Sequence, residues 1–126
     1  GFTSLSCDWA GGGIVSTTAD LMTFHKALQR GELVSPGTLK SMQTCPHKFR
    51  TGIHYGLGIM EIHFEEFFFL LRGLPRVTGH IGILATHLFH DPASDTYIVM
   101  NFAATDRMIQ SFRVLIDLMN VTRRIG

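Results

Sequence analysis

Three features of the sequence predict an α+β fold built on an antiparallel sheet. Two N-terminal stretches, 18–30 and 36–44, carry apolar side chains at helical spacing. Residues 53–103 then switch to strand-like patterns punctuated by turn residues, and the stretch after Thr105 returns to a helical stripe. The expected architecture is an antiparallel sheet with a C-terminal helix packed on it and two N-terminal helices.

Thr17, followed three residues later by Asp20, has the form of a capping box with Asp in place of Glu. Leu21, Phe24 and Leu28 follow at spacings of three and four, and Gly31 suits the left-handed residue that closes a helix. These predict a helix over Thr18–Arg30. Ser35-Pro36 joins an N-cap to a proline at the first helical position. Leu39 and Met42 continue an apolar stripe, so a second helix runs from Pro36 to Thr44, before Pro46. Residues 45–52 read as loop.

From Ile53 the period changes. Tyr55 to Ile62 alternates small or polar residues with large apolar ones, the pattern of a strand. Phe64 to Leu71 is rich in aromatics, which favour strands, and is expected to form a second one, broken by Gly73-Leu74-Pro75. A third runs through Val77-Thr78-Gly79-His80-Ile81-Gly82-Ile83 and on to His90. Asp91 to Asp95 is turn chemistry. Thr96 to Ala103, nearly all apolar apart from Asn101, reads as a strand buried on both faces that makes a hairpin with the preceding one. After Thr105, an N-cap with Asp106 in the first turn, Met108, Phe112, Leu115, Ile116 and Met119 share one helical face.

The 126 residues suffice for one domain with a real core. The chain does not begin with methionine, so it is expected to be a processed product or part of a longer chain. Hydrophobic residues make up 45% and charged residues only 17%. A small domain has much surface and should carry more charge, so part of this surface is expected to be covered by further chain. The net charge of +1, with no run of like charge, excludes the basic footprint of a nucleic-acid binder. Arg123 and Arg124 read instead as cations at a helix C-terminus. The longest apolar run, Phe67 to Leu71, is too short to span a bilayer. Cys7 and Cys45 form neither a CxxC pair nor a metal spacing, and could make one disulfide. His87 and His90, three apart, point to opposite faces of a strand, and no metal or other cofactor is expected.

The stretch around His80 is the candidate site. A glycine inside a strand marks a place where another backbone or a ligand comes close. Gly79 and Gly82 therefore suggest a strand edge left bare around one imidazole. The competing reading is a bulged strand carrying an ordinary structural histidine.

Three segments resemble a known family. Trp9-Ala10-Gly11-Gly12-Gly13-Ile14-Val15-Ser16-Thr17-Thr18-Ala19-Asp20-Leu21 resembles the "AGG…ST..DL" segment of the serine β-lactamase and DD-peptidase superfamily, more narrowly the branch of class C β-lactamases, D-alanyl-D-alanine carboxypeptidases and related esterases. Tyr55-Gly56-Leu57-Gly58 is similar to that family's YGLG strand, and Gly79-His80-Ile81-Gly82 sits where its third catalytic motif, KTG or HxG, would be. Order and approximate spacing agree, and the resemblance covers the C-terminal part of the family's fold. It implies a partial β-lactamase/transpeptidase-like fold, no cofactor, and a bacterial-type exported protein, periplasmic or extracellular. Neither the SxxK motif of the nucleophile nor a YxN or SxN motif is found. Thr23-Phe24-His25-Lys26 reads as surface spacing on a helix, and Ser94-Asp95-Thr96 lies in a turn after the third motif. The resemblance thus implies that nucleophile, base lysine and second motif precede Gly1, and that this segment is inactive without them.

The family chemistry is acyl transfer, in which a developing oxyanion needs aimed hydrogen-bond donors. The resemblance implies that the backbone N–H of Ile83, just after the motif, is one such donor. Gly82 keeps the strand uncluttered so that the acyl group can lie against it, with Gly79 also on the substrate side. His80 replaces the family's lysine and donates a hydrogen bond or charge beside the proton path. Ile81 departs from the KTG pattern. A threonine hydroxyl there helps hold a substrate carboxylate, and isoleucine cannot donate. This shifts the expected small-molecule or peptide-like substrate towards esters or amides without a carboxylate at that point. Phe64, Phe67, Phe68 and Phe69 could line an acyl pocket or pack in the core and sheet. His87 is given no role. Two further readings compete: a non-catalytic β-lactamase-like module binding a peptide or cell-wall ligand, and a stand-alone structural domain whose motifs match by chance.

Overall fold

The structure, a computed structural model, describes residues 13–125. It is α+β: a six-stranded antiparallel sheet with four α-helices among the described residues. The glycine-rich segment 9–12 and Cys7 lie outside them. Cys45 forms no disulfide among the described residues, and its thiol donates to the Ile59 carbonyl at 3.5 Å.

Helix α1 spans Thr18–Gln29. Its start is the expected capping box: the Thr17 hydroxyl accepts from the Asp20 N–H at 3.1 Å and donates to the Asp20 carboxylate at 2.8 Å. Gly31, at φ +71°, takes the left-handed position after its C-cap. Helix α2 spans Pro36–Gln43, and the Ser35 hydroxyl accepts from the Thr38 N–H. Such caps contribute about 1 kcal/mol each.

The sheet is a meander, β1 to β6 in chain order. The expected loop at 45–52 contains an edge strand, β1 (His47–Arg50), exposed along its whole length. The expected strand through Ile62 is a hairpin, β2 (Ile53–Tyr55) and β3 (Met60–Ile62), because Gly58 at φ +74° reverses the chain. Phe64 to Leu71 is not a strand. Phe64–Phe67 is the short helix α3, and Phe69–Leu71 a 3₁₀ turn. Glu65 and Glu66 occupy the first turn of α3, where carboxylates favour a helix N-terminus. Phe64 to Leu71 also lacks the alternation that a half-buried strand needs.

The stretch from Val77 to His90 is likewise two strands, β4 (Val77–Ile81) and β5 (Thr86–Asp91). Gly82 to Ala85 turn between them, closed by Gly82 N–H to the Thr86 carbonyl at 2.8 Å and by Ala85 N–H to the Gly82 carbonyl at 3.0 Å. Strand β6 (Thr96–Asn101) completes the expected hairpin with β5. It is an edge strand and only Ile98 in it is fully buried, so the expected burial on both faces is partial.

Helix α4 (Met108–Ile125) follows a 3₁₀ turn at Thr105–Arg107. The predicted stripe faces the sheet: Leu115 and Met119 are fully buried with Ile62, Phe64, Val77 and Phe89, flanked by Phe112 and Ile116. Burying side chains of this size contributes about 1.5–3 kcal/mol apiece. On the opposite sheet face α1 lies over β5 and β6. No described helix is long and apolar enough to cross a membrane.

Much apolar surface remains uncovered. Val15, Ile14, Phe49, Phe69, Leu70 and Ile83 are each more than half exposed, and β1 is an unprotected edge. The isolated chain should bind a hydrophobic dye strongly or self-associate. A sharply melting monomer without dye binding, checked by fluorescence and sedimentation, would contradict this and favour the stand-alone domain.

Candidate functional site

The pairing of β4 decides where each candidate residue points. Gly79 lies opposite Phe89 on β5 and Met60 on β3. A Cβ at 79 would collide with the Leu88 carbonyl and the Phe89 Cα. Glycine is therefore required there by the fold itself, and β4 is an interior strand rather than a bare edge. Gly82 differs: a Cβ there would meet nothing nearer than Thr86 at 3.6 Å, an ordinary contact. Packing does not force glycine at 82: a methyl there would sit in ordinary contact with Thr86.

Alternation sends His80 and Ile81 to opposite faces. Ile81 packs against the α4 core, so only its backbone is available to anything bound beside His80. His80 is half-buried on the α1 side. Its Nε2 is 2.7 Å from the Tyr55 hydroxyl, with the two rings perpendicular. Tyr55 is the first residue of the YGLG segment, to which the sequence reading assigned no role. Ile83 sits in the β4–β5 turn, 78% exposed, and neither backbone hydrogen bond that closes the turn uses its N–H.

Gly79 and His80 line a cavity of about 340 Å³ between the sheet, α1 and the α1–α2 connection. Its other walls include Phe24, Leu28, Leu33, Met42 and Leu88, an apolar lining of the size that takes a small ligand. Phe64, Phe67, Phe68 and Phe69 are not part of it. Phe64 is core, and Phe67, Phe68 and Phe69 are exposed, so they form neither an acyl pocket nor, for the last three, the core.

The second imidazole at this cavity, His25, was hidden in a stretch expected at the surface. Thr23 is exposed, with its hydroxyl on the Ala19 carbonyl, but His25 is 1% exposed. Its ring stands edge-on to His90 and Tyr97, and its Nε2 has no hydrogen-bond partner among the described residues. Burial, assisted by the charge of His90, lowers its pKa to about 4. His87 is also structural. It lies on β5, fully buried, with Nε2 2.7 Å from the Ser111 hydroxyl. That hydroxyl donates to the Met108 carbonyl, so it accepts from His87 Nε2–H, and Nδ1, which has no partner among the described residues, carries no proton. Burial lowers the His87 pKa to about 4.

No family model and no curated protein matches the chain.

The two buried imidazoles generate a pH dependence. Both stay neutral when folded, whereas the unfolded chain takes up protons below the ordinary value of 6.5. Their contribution is complete above 6.5 and is lost as pH falls towards 4. Glu66, also held down to about 2, acts only below the ordinary carboxylate range. The melting temperature should therefore begin to fall below pH 6.5, and less steeply in His87→Leu. A flat profile between about pH 7 and 5 would show that neither imidazole is buried neutral.

Proposed function

We propose that this chain is the C-terminal portion of a β-lactamase-related serine hydrolase acting by acyl-enzyme chemistry on an ester, amide or β-lactam. The observation that carries the reading is the 2.7 Å hydrogen bond between Tyr55 and His80. Two segments singled out independently by their resemblance, 25 residues apart, meet side chain to side chain at the wall of an apolar cavity.

In this reading residues preceding Gly1 supply the serine and its lysine base. The serine oxygen adds to the substrate carbonyl carbon and passes its proton to the base. The resulting oxyanion accepts from the Ile83 N–H, a donor of the kind worth about 3 kcal/mol. Collapse expels the alcohol or amine, protonated as it leaves, and water then releases the acyl group. His80 acts beside that proton path as a hydrogen-bond partner rather than as the nucleophile, with Tyr55 fixing its ring. The acyl chain lies along β4 over Gly82 and into the apolar cavity. Ile81 offers no hydroxyl for a carboxylate, which favours esters or uncharged amides over penicillins.

The non-catalytic alternative, a cleft that binds a peptide or cell-wall ligand, draws on the absence of an SxxK motif from these 126 residues. A fluorophosphonate that labels no serine in the protein extended through the preceding coding sequence would decide for it.

Turnover of a p-nitrophenyl acyl ester by that protein tests the site. His80→Ala should lower kcat by about 10² to 10⁴ with little change in melting temperature, and Tyr55→Phe should lower it less. His47→Ala on the exposed strand β1 is the control; His87 cannot serve, since its removal empties a buried site. Unchanged turnover in His80→Ala removes the assignment.

The two glycines separate substrate contact from folding. Gly82→Ala should fold normally, since its methyl meets Thr86 only at ordinary contact distance, yet lose turnover, because that methyl stands where the acyl group is proposed to lie. Gly79→Ala should destabilise the fold outright. Full activity in Gly82→Ala would mean that no acyl group lies there.

A further inference from the structure

A second cluster of chemistry-bearing side chains lies on the β2–β3 hairpin and α3, and the proposed hydrolase chemistry makes no use of it. His54 comes from β2. His63 is the N-cap residue of α3, and Glu66 follows one turn later. One oxygen of Glu66, Oε1, faces both imidazoles, at 2.8 Å from His54 Nε2 and 3.3 Å from His63 Nδ1. The two rings stack with centroids 3.9 Å apart, and the three ligand-type atoms lie within 4.8 Å of one another. All three side chains are largely shielded, at 16%, 10% and 25% exposure.

We infer that His54 Nε2, His63 Nδ1 and Glu66 Oε1 form a site for a first-row divalent cation of the zinc class. Zinc binds imidazole nitrogen and carboxylate oxygen at about 2.0–2.2 Å, which in tetrahedral geometry sets ligand atoms about 3.3 Å apart. Glu66 Oε1 stands 2.8 and 3.3 Å from the two nitrogens, near that spacing; to point both nitrogens at one ion the stacked rings turn out of parallel, and His54 carries its proton on Nδ1 in the metal-bound form. The surrounding groups are those that a metal-binding histidine needs. His63 Nε2 is 2.5 Å from Glu61 Oε2, which holds the proton on that nitrogen and leaves Nδ1 as a lone-pair donor. Lys48 Nζ, at 2.5 Å, and the Gly52 N–H, at 3.2 Å, take the other Glu66 oxygen and keep Oε1 turned inwards. Two imidazoles select against calcium and magnesium, which prefer all-oxygen sites, and the fourth position is left to water. A bound cation joins the hairpin to α3 across nine residues of chain and acts as a structural clamp.

The full chain titrated with zinc in a calorimeter should bind one equivalent, and its melting temperature should rise with zinc concentration. Calcium and magnesium should do neither. Cobalt should give the visible bands of a four-coordinate ion. His54→Gln and Glu66→Gln should each weaken binding by more than about tenfold, and Glu61→Gln, acting through His63, by about 10- to 100-fold. His47→Gln and His90→Gln should bind as wild type does. Because a variant could unfold, the wild-type chain is also followed by NMR, where paramagnetic cobalt should broaden the His54 and His63 ring signals first. Absence of stoichiometric binding, affinity unchanged in His54→Gln and Glu66→Gln, or first broadening at His25, His47 or His90 would each overturn the assignment.

Discussion

The structure depends on how closely β4 and β5 approach at Gly79. The Leu88 carbonyl occupies the volume that any side chain at 79 would need, so the glycine fixes register as well as permitting contact. With Gly79 opposite Phe89, Val77 and Ile81 point into the α4 core, and Thr78 and His80 point towards α1. A slip of one residue would exchange the two sets. It would bury an imidazole among Leu115 and Met119 and turn Ile81 to the cavity. The constraint that assembles the core is thus the one that presents His80.

The histidines differ by what surrounds them. His25 and His87 have no carboxylate partner among the described residues, and burial, aided at His25 by His90, holds both neutral. His54, His63 and His90 lie against Glu66, Glu61 and Asp95. His80 alone is bonded to a phenol. A carboxylate only accepts hydrogen bonds, so it commits an imidazole to donating. A hydroxyl can donate or accept, so the His80–Tyr55 bond survives a change of proton position on the ring. The Ser111 hydroxyl on His87 has the same chemistry but is committed, because it already donates to the Met108 carbonyl.

How much of this was legible follows from the kind of signal each segment carries. The caps of α1 and α2 and the stripe of α4 are local patterns, and Thr17–Asp20, Ser35-Pro36 and Leu115–Met119 behave as their spacing requires. The Asp91–Asp95 turn was equally plain. The Gly82–Ala85 turn was not: it closes with Ala85 at φ +54°, a conformation that alanine does not advertise, so two strands read as one. The aromatic content of Phe64 to Leu71 favours a strand, whereas Glu65 and Glu66 favour a helix start, and the structure follows the second signal. His80 between glycines was visible, but its partner Tyr55 depends on the fold of the β2–β3 hairpin. The His54, His63 and Glu66 cluster is equally non-local. Only the three-residue step from His63 to Glu66 hinted at it.

The β2–β3 hairpin carries a residue of each cluster, Tyr55 of one and His54 of the other. Each of its strands has only three residues, and a pair that short has little stability of its own. It is held from outside: Ile53 and Ile62 join the core, His54 is bound to Glu66, and Tyr55 to His80. His54 and Tyr55 are consecutive, so whatever tightens the first restricts the second. The orientation of the His80 ring therefore rests on bonds made at the far side of β2, where Glu66 and Lys48 carry the charge.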